Sequence, residues 1–391
     1  MTDSYDAIIV GARCAGASTA MLLARRGLRV LVLDRATFPS DTIPQSGNVL
    51  QQGLWHLRRW GLLDEVAATG APPVDRIVAH APGCPPATQV FDEFEGIGHC
   101  FVLRHSILDT IIAERAAADG ASLVLGARVT EVLRRGDRVV GVGAVDRSGR
   151  TFTARAAVVV GADGKQSFVA RTVGARRYRE RVAGTFGFFT YYRDLELDGI
   201  ELWQSTTRQL ICFPTHDGEA WVALPRPARE MARFKADPEG EAVAHLAEFP
   251  DAAARLARAS RCDRLHSTGD LGGFYRESAG AGWALVGDAG FTKDPTPGRG
   301  ITDAFAHAEL LADAIVSGLD RDELDVALRH YAFERDTSTF DVYDATQDVA
   351  EWGDCSSPEE LGARFARLGA AEAAFGDWLL ARDAARGTVA V

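Results

Sequence analysis

Asp6-Ala7-Ile8-Ile9-Val10-Gly11-Ala12-Arg13-Cys14-Ala15-Gly16-Ala17 runs from a short apolar stretch through a glycine-bounded loop into a segment of helical composition that stops at Gly27. Five residues ending in glycine suit a strand buried on both faces, and a glycine after the last helical residue is a stop signal. A second apolar run, Arg29 to Leu33, ends at Asp34 and completes a β-α-β unit of about the usual 30 residues. A dinucleotide fingerprint places three glycines in such a loop: one for the tight turn, one for close approach to the pyrophosphate, and one for helix–strand packing. Gly11 and Gly16 fill the first and third places, but Arg13 stands in the second. Its Cβ lies at the point of closest approach, whereas its guanidinium can cover phosphate or ribose. Asp34, 23 residues beyond Gly11, is placed to hold ribose hydroxyls. By itself the pattern fits either a dinucleotide site or a plain strand-turn-helix.

Two later stretches repeat the strand-then-acidic-turn pattern. Val158-Val159-Val160-Gly161-Ala162-Asp163-Gly164 is one, and Ala284-Leu285-Val286-Gly287-Asp288-Ala289 is the other, followed by Asp294-Pro295-Thr296-Pro297-Gly298-Arg299-Gly300-Ile301. Between them, Thr185–Tyr192, Glu201–Gln204, Gln209–Phe213 and Ala220–Leu224 are β-branched and aromatic runs that predict an antiparallel sheet. Leu103–Ala118 and Glu241–Leu256 read as helices, and the tail from Leu324 is alanine-rich and helical. The expected fold is α/β with two domains: a Rossmann-like parallel sheet, an inserted antiparallel-sheet substrate domain and C-terminal helices. The expected division is 1–175 for the nucleotide-binding part, with a small substrate-side insert near 72–100. Residues 176–280 form the antiparallel domain, 281–320 return to the first domain, and 321–391 form the helical region.

Composition removes several alternatives. The chain has 391 residues, 47% hydrophobic and 25% charged, typical of globular proteins. No apolar run approaches the roughly 18 residues that cross a bilayer, and the N-terminus lacks a basic leader, so a cytoplasmic location and no stable membrane insertion are expected. A net charge of -11 argues against tracking nucleic-acid phosphates. Six scattered cysteines show no metal-like spacing and read as reduced thiols, with no metal site expected. The 40 arginines against 3 lysines fit a GC-rich genome. Oligomeric state is not readable.

The glycine loop, the Arg104 segment Phe101–Asp109, the aspartate-glycine turn and the glycine-aspartate turn occur in the order seen in FAD-dependent monooxygenases of the para-hydroxybenzoate hydroxylase superfamily. The chain resembles that superfamily, which also contains geranylgeranyl reductases and flavin halogenases, over nearly its whole length. The resemblance implies FAD, held by Gly11, Arg13, Cys14, Ala15 and Gly16 at the pyrophosphate. It also implies Asp34 and Arg35 at the ribose, Arg104 near the phosphates, and the backbone of Val129 against adenine. Asp163, Gly287, Asp288, Pro295, Gly298, Gly300 and Ile301 complete the expected contacts, with Gln45 and Ser46 aligned loosely beside the ribityl chain. Physical reasoning agrees for the last group. Asp288 at a strand end can accept ribityl hydroxyls, prolines stiffen the loop, Gly298 and Gly300 let backbone amides approach the pyrimidine edge, and the helix from Ile301 favours negative charge there. No attachment motif is present, so the flavin is expected to be non-covalent.

By the same resemblance, NADH or NADPH reduces FAD and dioxygen adds to form a 4a-hydroperoxide that hydroxylates or epoxidises an aromatic or polyketide-like small molecule; a separate flavin reductase is the alternative electron source. The halogenase W-x-W-x-I-P motif is absent from the corresponding Leu210–Gly218 stretch, while Phe213-Pro214 partly fits the geranylgeranyl reductases. Reduction of a C=C bond therefore stays as an alternative, and a flavin-binding protein without turnover, suggested by Arg13, as another. Tyr191, Trp203, Phe213 and His216 are candidate pocket residues, with Phe186, Phe188 and Tyr192 also on the sheet. Core packing is the competing role for the aromatics, and a turn position for His216. Lys293 reads as either a flavin or substrate contact or a solvated loop residue. Tyr331, Tyr343 and Trp352 either close the pocket or dock the C-terminal helices.

Overall fold

The protein is described by a computed structural model covering residues 4–40, 46–81, 83–205, 208–352, 355 and 357–389. Ser4–Val10 lies at the centre of a parallel sheet, flanked by Val30–Asp34 on one side and Thr151–Gly161 on the other. Ser122–Leu125 extends the sheet beyond Val30–Asp34, and Trp283–Leu285 extends it beyond Thr151–Gly161. Alternation sends Ala7, Ile9, Val30, Val32, Val158 and Val160 into one apolar cluster and Ile8, Val10, Leu31, Leu33 and Val159 into another. Both faces are covered, as a parallel sheet requires. On the first face the helix Cys14–Ala24 packs against His105–Ala118 and Gly300–Asp320. The hairpin Arg128–Arg135 and Arg138–Val145 covers the second. The helix expected from Leu103 starts later, because Phe101–Arg104 pairs as a strand with Ser46–Val49.

The second sheet is mainly antiparallel. Thr185–Arg193 pairs with Glu219–Pro227, then come Gln209–Pro214 and Ile200–Gln204. Ile200–Gln204 takes Arg76–His80 in parallel, and Ala87–Val90 closes that edge. On one face Phe186, Phe188, Trp203, Cys212 and Val222 are buried with Phe234 of the helix Met231–Ala236, Leu256 of the helix Pro250–Leu256 and Phe249 just before it; the helix Pro238–Leu246 lies between these two in the chain. Pro250 splits the single helix expected over Glu241–Leu256, since it lacks the N–H that a helix interior needs. Leu324–Ala350 and Pro358–Val389 are the two long C-terminal helices. Among the described residues no helix is long and apolar enough to cross a membrane.

His245 is buried under this sheet, with Nε2–H donating to the Gln209 carbonyl at 2.8 Å. Burial pushes its pKa down from 6.5 to about 3, so the native state holds it neutral. Below pH 6.5 the unfolded chain takes up a proton that the native state refuses, so this residue's stabilisation is full above 6.5 and drains as the pH falls toward 3. His245→Gln should flatten the acid side of the stability profile by up to one proton in that window. Urea unfolding of both proteins from pH 7 to 4 reads this, and parallel profiles would exclude it.

Candidate functional site

The glycine loop and the two acidic turns meet at the carboxyl ends of the parallel strands, where open α/β sheets bind ligands. Gly11 has φ +108, and a Cβ on it would collide with the Ala162 carbonyl oxygen; one on Gly16 would collide with the Gly11 carbonyl oxygen. Gly287, with φ +59, would place a Cβ 2.7 Å from Ala15. Ala162 N–H donates to Val10 O at 2.8 Å, and Val286 N–H to Gly161 O at 3.0 Å. Glycine is thus required where these turns touch each other.

An aspartate stands at or just past the end of three of these strands: Asp34, Asp163 and Asp288. Asp34 accepts from the N–H groups of Ala12 and Ala36, both at 2.7 Å. Gly126 and Ala127 donate to Ala36 O and Asp34 O, which sets Val129 beside that strand end; Arg35 is exposed just past it. Asp163 Oδ2 accepts from Phe168 N at 2.6 Å and Val169 N at 3.2 Å, while its Oδ1 is buried without a partner. Asp288 is exposed, yet the surrounding protein pushes its carboxyl pKa up, against the pull of Lys293, Lys165 and His105. Open to solvent but walled by protein is the condition of a cleft lining. Among the described residues none forms a hydrogen bond or ion pair with the Asp288 side chain. Arg13 bonds Asp109 at 2.8 Å, and Cys14 N–H donates to the same carboxylate at 3.1 Å.

The proline loop forms the other wall. Thr185 Oγ1 donates to Asp294 at 2.9 Å, tying the loop to the antiparallel sheet. Gly298, with φ +67, closes a turn onto Pro295 O at 2.8 Å and would press a Cβ to 2.5 Å from Asn48 Nδ2; Asn48 Oδ1 is buried and unpartnered. Ile301 packs against Gly47. A Cβ on Gly300, the first residue of Gly300–Asp320, would meet nothing within 4 Å. A methyl at the first residue of that helix would therefore point into open space.

Lys293 is not a solvated loop residue: its side chain is 5% exposed and paired with Asp303, because burying an ammonium demands a counter-charge. Arg299, also buried, reaches Gln52 Oε1 at 3.0 Å and Asp303 at 3.4 Å. The C-terminal helices hold the glycine-aspartate turn from behind. Tyr331 donates to Leu285 O at 2.6 Å, and Arg335 and Arg276 donate to Gly290 O and Ala289 O. Tyr343 donates to Arg179 O, and Trp352 is 2% exposed. Tyr331 and Tyr343 thus dock the helix Leu324–Ala350 onto its neighbours. Arg276 and Arg335 were not foreseen, since arginine in so arginine-rich a chain carries little signal.

Strand parity sorts the sheet residues. Tyr191 pairs with Trp221 and Trp221 with Phe213, so these three share a face. The Arg104 guanidinium lies 4.3 Å over Tyr191, and Thr185 of the same parity reaches Asp294, so this face is turned to the first domain. Gly187, on the same parity, leaves nothing within 4 Å of a Cβ. Trp221 escaped the sequence reading, and its buried Nε1 has no partner. Trp203 is a correction: it points to the far face, bonded to Asp251 at 2.8 Å and stacked on His80 at 4.3 Å. Phe186 and Phe188 share that far-face core, and Tyr192 packs against it. His216 sits in a turn with Nε2 against Thr69 Oγ1 at 3.0 Å, and burial pushes its pKa down. Arg104, expected near the phosphates, pairs with Glu219, a 6% exposed carboxylate that Arg193 also binds. Ser46 contributes backbone pairing to Arg104, and Gln45 lies outside the described residues.

Comparison with known proteins agrees with this geometry. The FAD binding domain family matches residues 4–346. The digeranylgeranylglycerophospholipid reductase of Methanosarcina mazei is 25% identical over 356 residues, covering 88% of this chain and 83% of the relative. The kynurenine 3-monooxygenase of Salinispora tropica is 26% identical over 403 residues, covering 96% and 84%. The myxobacterial chondrochloren halogenase, an FAD-dependent halogenase variant, superposes with TM-score 0.80 at 22% identity over 94% of this chain and 90% of its own. The residues in place fit such a cofactor: the unpartnered oxygens of Asp163 and Asn48, the bare carboxylate of Asp288 and the space beside Gly300 lie on the turns that would hold it or, for Asn48, on the strand packed against Gly298.

Proposed function

The chain belongs to the FAD binding domain family, and from that premise we propose that it is an FAD-dependent monooxygenase. It takes its electrons from NADH or NADPH and hydroxylates or epoxidises an aromatic or polyketide-like small molecule. The observation that carries the reading is the Tyr191–Trp221–Phe213 row, turned toward the first domain beside the gap at Gly187. Tyr191 lies buried beneath Arg104, and the half-buried Trp221 and Phe213 beside it offer stacking to a planar substrate. The kynurenine monooxygenase likeness across 96% of the chain supports it.

When bound, FAD supplies the redox chemistry, accepting hydride and passing electrons to dioxygen. The chain's own residues bind and orient. Asp288 holds ribityl hydroxyls, and Asp34 holds ribose while ordering the first turn through Ala12. The amides at the start of Gly300–Asp320 stabilise negative charge at the pyrimidine edge. The aromatic row positions the substrate and excludes water from the reacting face.

Reduction of an isolated C=C bond is the second reading, favoured by Phe213-Pro214 and the archaeal reductase likeness. Oxygen dependence separates the two. Monooxygenation predicts product 16 mass units heavier, formed only in air; reduction predicts 2 units, formed anaerobically (both by stoichiometry). A yellow protein bleached by NAD(P)H alone needs no partner. Bleaching only on addition of a flavin reductase would assign reduction to a second protein, and no bleaching under either condition would favour a carrier without turnover. Acid precipitation should leave all flavin in the supernatant, and yellow colour in the pellet would disprove non-covalent binding.

A further inference from the structure

The middle place of the glycine fingerprint holds Arg13, whose backbone has φ -80 and ψ -173. That is extended backbone open to any residue, so glycine's absence costs nothing in conformation. The difficulty is steric and lies in the side chain alone: a long chain rooted where the pyrophosphate passes must go somewhere. In this structure it goes to Asp109, with Nη1 2.8 Å from Oδ2.

Asp109 is 0% exposed on the helix His105–Ala118 and is held from several sides. Its Oδ1 accepts from Cys14 N–H and from the Cys14 thiol, both at 3.1 Å, and His105 Nδ1 lies 3.9 Å from Oδ2. Arg13 is the N-cap residue of Cys14–Ala24 but offers no side-chain cap, so Asp109 caps that helix from 95 residues away. Burial works against its charge, yet His105 and Arg13 outweigh it and hold the carboxyl below the usual range. Burial pushes the Cys14 thiol well up, so the sulfur stays protonated and donates to Asp109. The Cys14–His105–Asp109 trio, whose ligand atoms lie within 4.8 Å, is therefore hydrogen-bonded and not poised as a thiolate for metal.

We propose that Asp109 is the positioning residue that makes an arginine compatible with FAD at this place, drawing the guanidinium off the pyrophosphate path and holding its positive charge at the flank. The inference rests on the FAD-binding reading above. It also explains how a buried anion is tolerated at a helix start that would face two phosphate charges: Asp109 and Arg13 neutralise each other, so the capping carboxylate adds no net negative charge there.

The test is coupling, read as FAD dissociation constants of refolded apo protein by flavin fluorescence. Asp109→Asn keeps an acceptor for Cys14 N–H but removes the charge that draws Arg13, leaving the 3.4 Å contact of its Nη2 with the Ser40 carbonyl, and should weaken FAD at least tenfold. In an Arg13→Gly background the same change should cost less than threefold. An equal penalty in both backgrounds would reduce Asp109 to a structural cap, and tighter binding in Asp109→Asn would make it a competing anion; either result overturns the proposal. If Asp109→Asn does not fold, Arg13→Met decides: a long neutral chain that Asp109 cannot hold should bind FAD at least tenfold more weakly than Arg13→Gly, and equal affinities would overturn the idea. Wild-type protein that binds no FAD would instead refute the functional reading, so the two failures are distinct.

Discussion

Asp288→Ala is expected to weaken FAD binding by about ten- to a hundredfold while leaving the apo protein's melting temperature nearly unchanged. The size follows from removing one charge-assisted hydrogen bond of about 1.5–3 kcal/mol. The selectivity follows from the fold. Strand Trp283–Leu285 and the turn at Gly287 are held by Tyr331, Arg276 and Arg335 through backbone carbonyls, none of which involves the Asp288 side chain. Its carboxyl pKa is raised by the surrounding protein, and a carboxylate with a raised native pKa subtracts stability as the pH climbs past its unfolded value. The variant should therefore be as stable as wild type at neutral pH, or slightly more so. Adding FAD should raise the wild-type melting temperature and move the variant much less, since a ligand stabilises in proportion to its affinity for the native state. Equal FAD-induced shifts would take Asp288 out of the cofactor site.

The parts of the site that could be read in the sequence are those where sterics leave one choice. Gly11, Gly16 and Gly287 stand where backbone meets backbone or a left-handed turn is required, and such places leave the same trace in any chain. Directions of side chains leave none. Trp203 and Phe213 both lie on readable strands, but Trp203 pairs with Leu210 and Phe213 with Trp221, which puts them on opposite faces; one residue of register decides which. Arg104 shows the other kind of silence. Its partner Glu219 is 115 residues away, and only the packing of one sheet against the other brings them together. For Lys293, too, the sequence left a solvated loop position open, because nothing local announces that Asp303 turns back to it.

Two alanine substitutions in glycine positions should have opposite signatures, and together they test whether the open space at the helix start is where the flavin ring goes. Gly16→Ala places a methyl against the carbonyl oxygen of Gly11, backbone against backbone, with the Ala162 side chain 3.0 Å away on the other side. No flexible group can yield, so the first helix must lift from the strand, at a cost of about 1–3 kcal/mol or more. The apo protein should melt several degrees lower, and FAD binding should fall with it because the loop itself is displaced. Gly300→Ala meets nothing within 4 Å, and alanine in a helix is favoured over glycine by up to about 1 kcal/mol. That variant should melt at or above the wild-type temperature without cofactor. If the pyrimidine edge approaches the amides of Gly300 and Ile301, the added methyl occupies its space, and FAD affinity should drop at least tenfold despite the intact fold. Differential scanning fluorimetry of both variants, with and without FAD, separates the cases. A Gly300→Ala protein that binds FAD as tightly as wild type would mean that the space before the helix belongs to solvent, and that the ring lies elsewhere along the cleft.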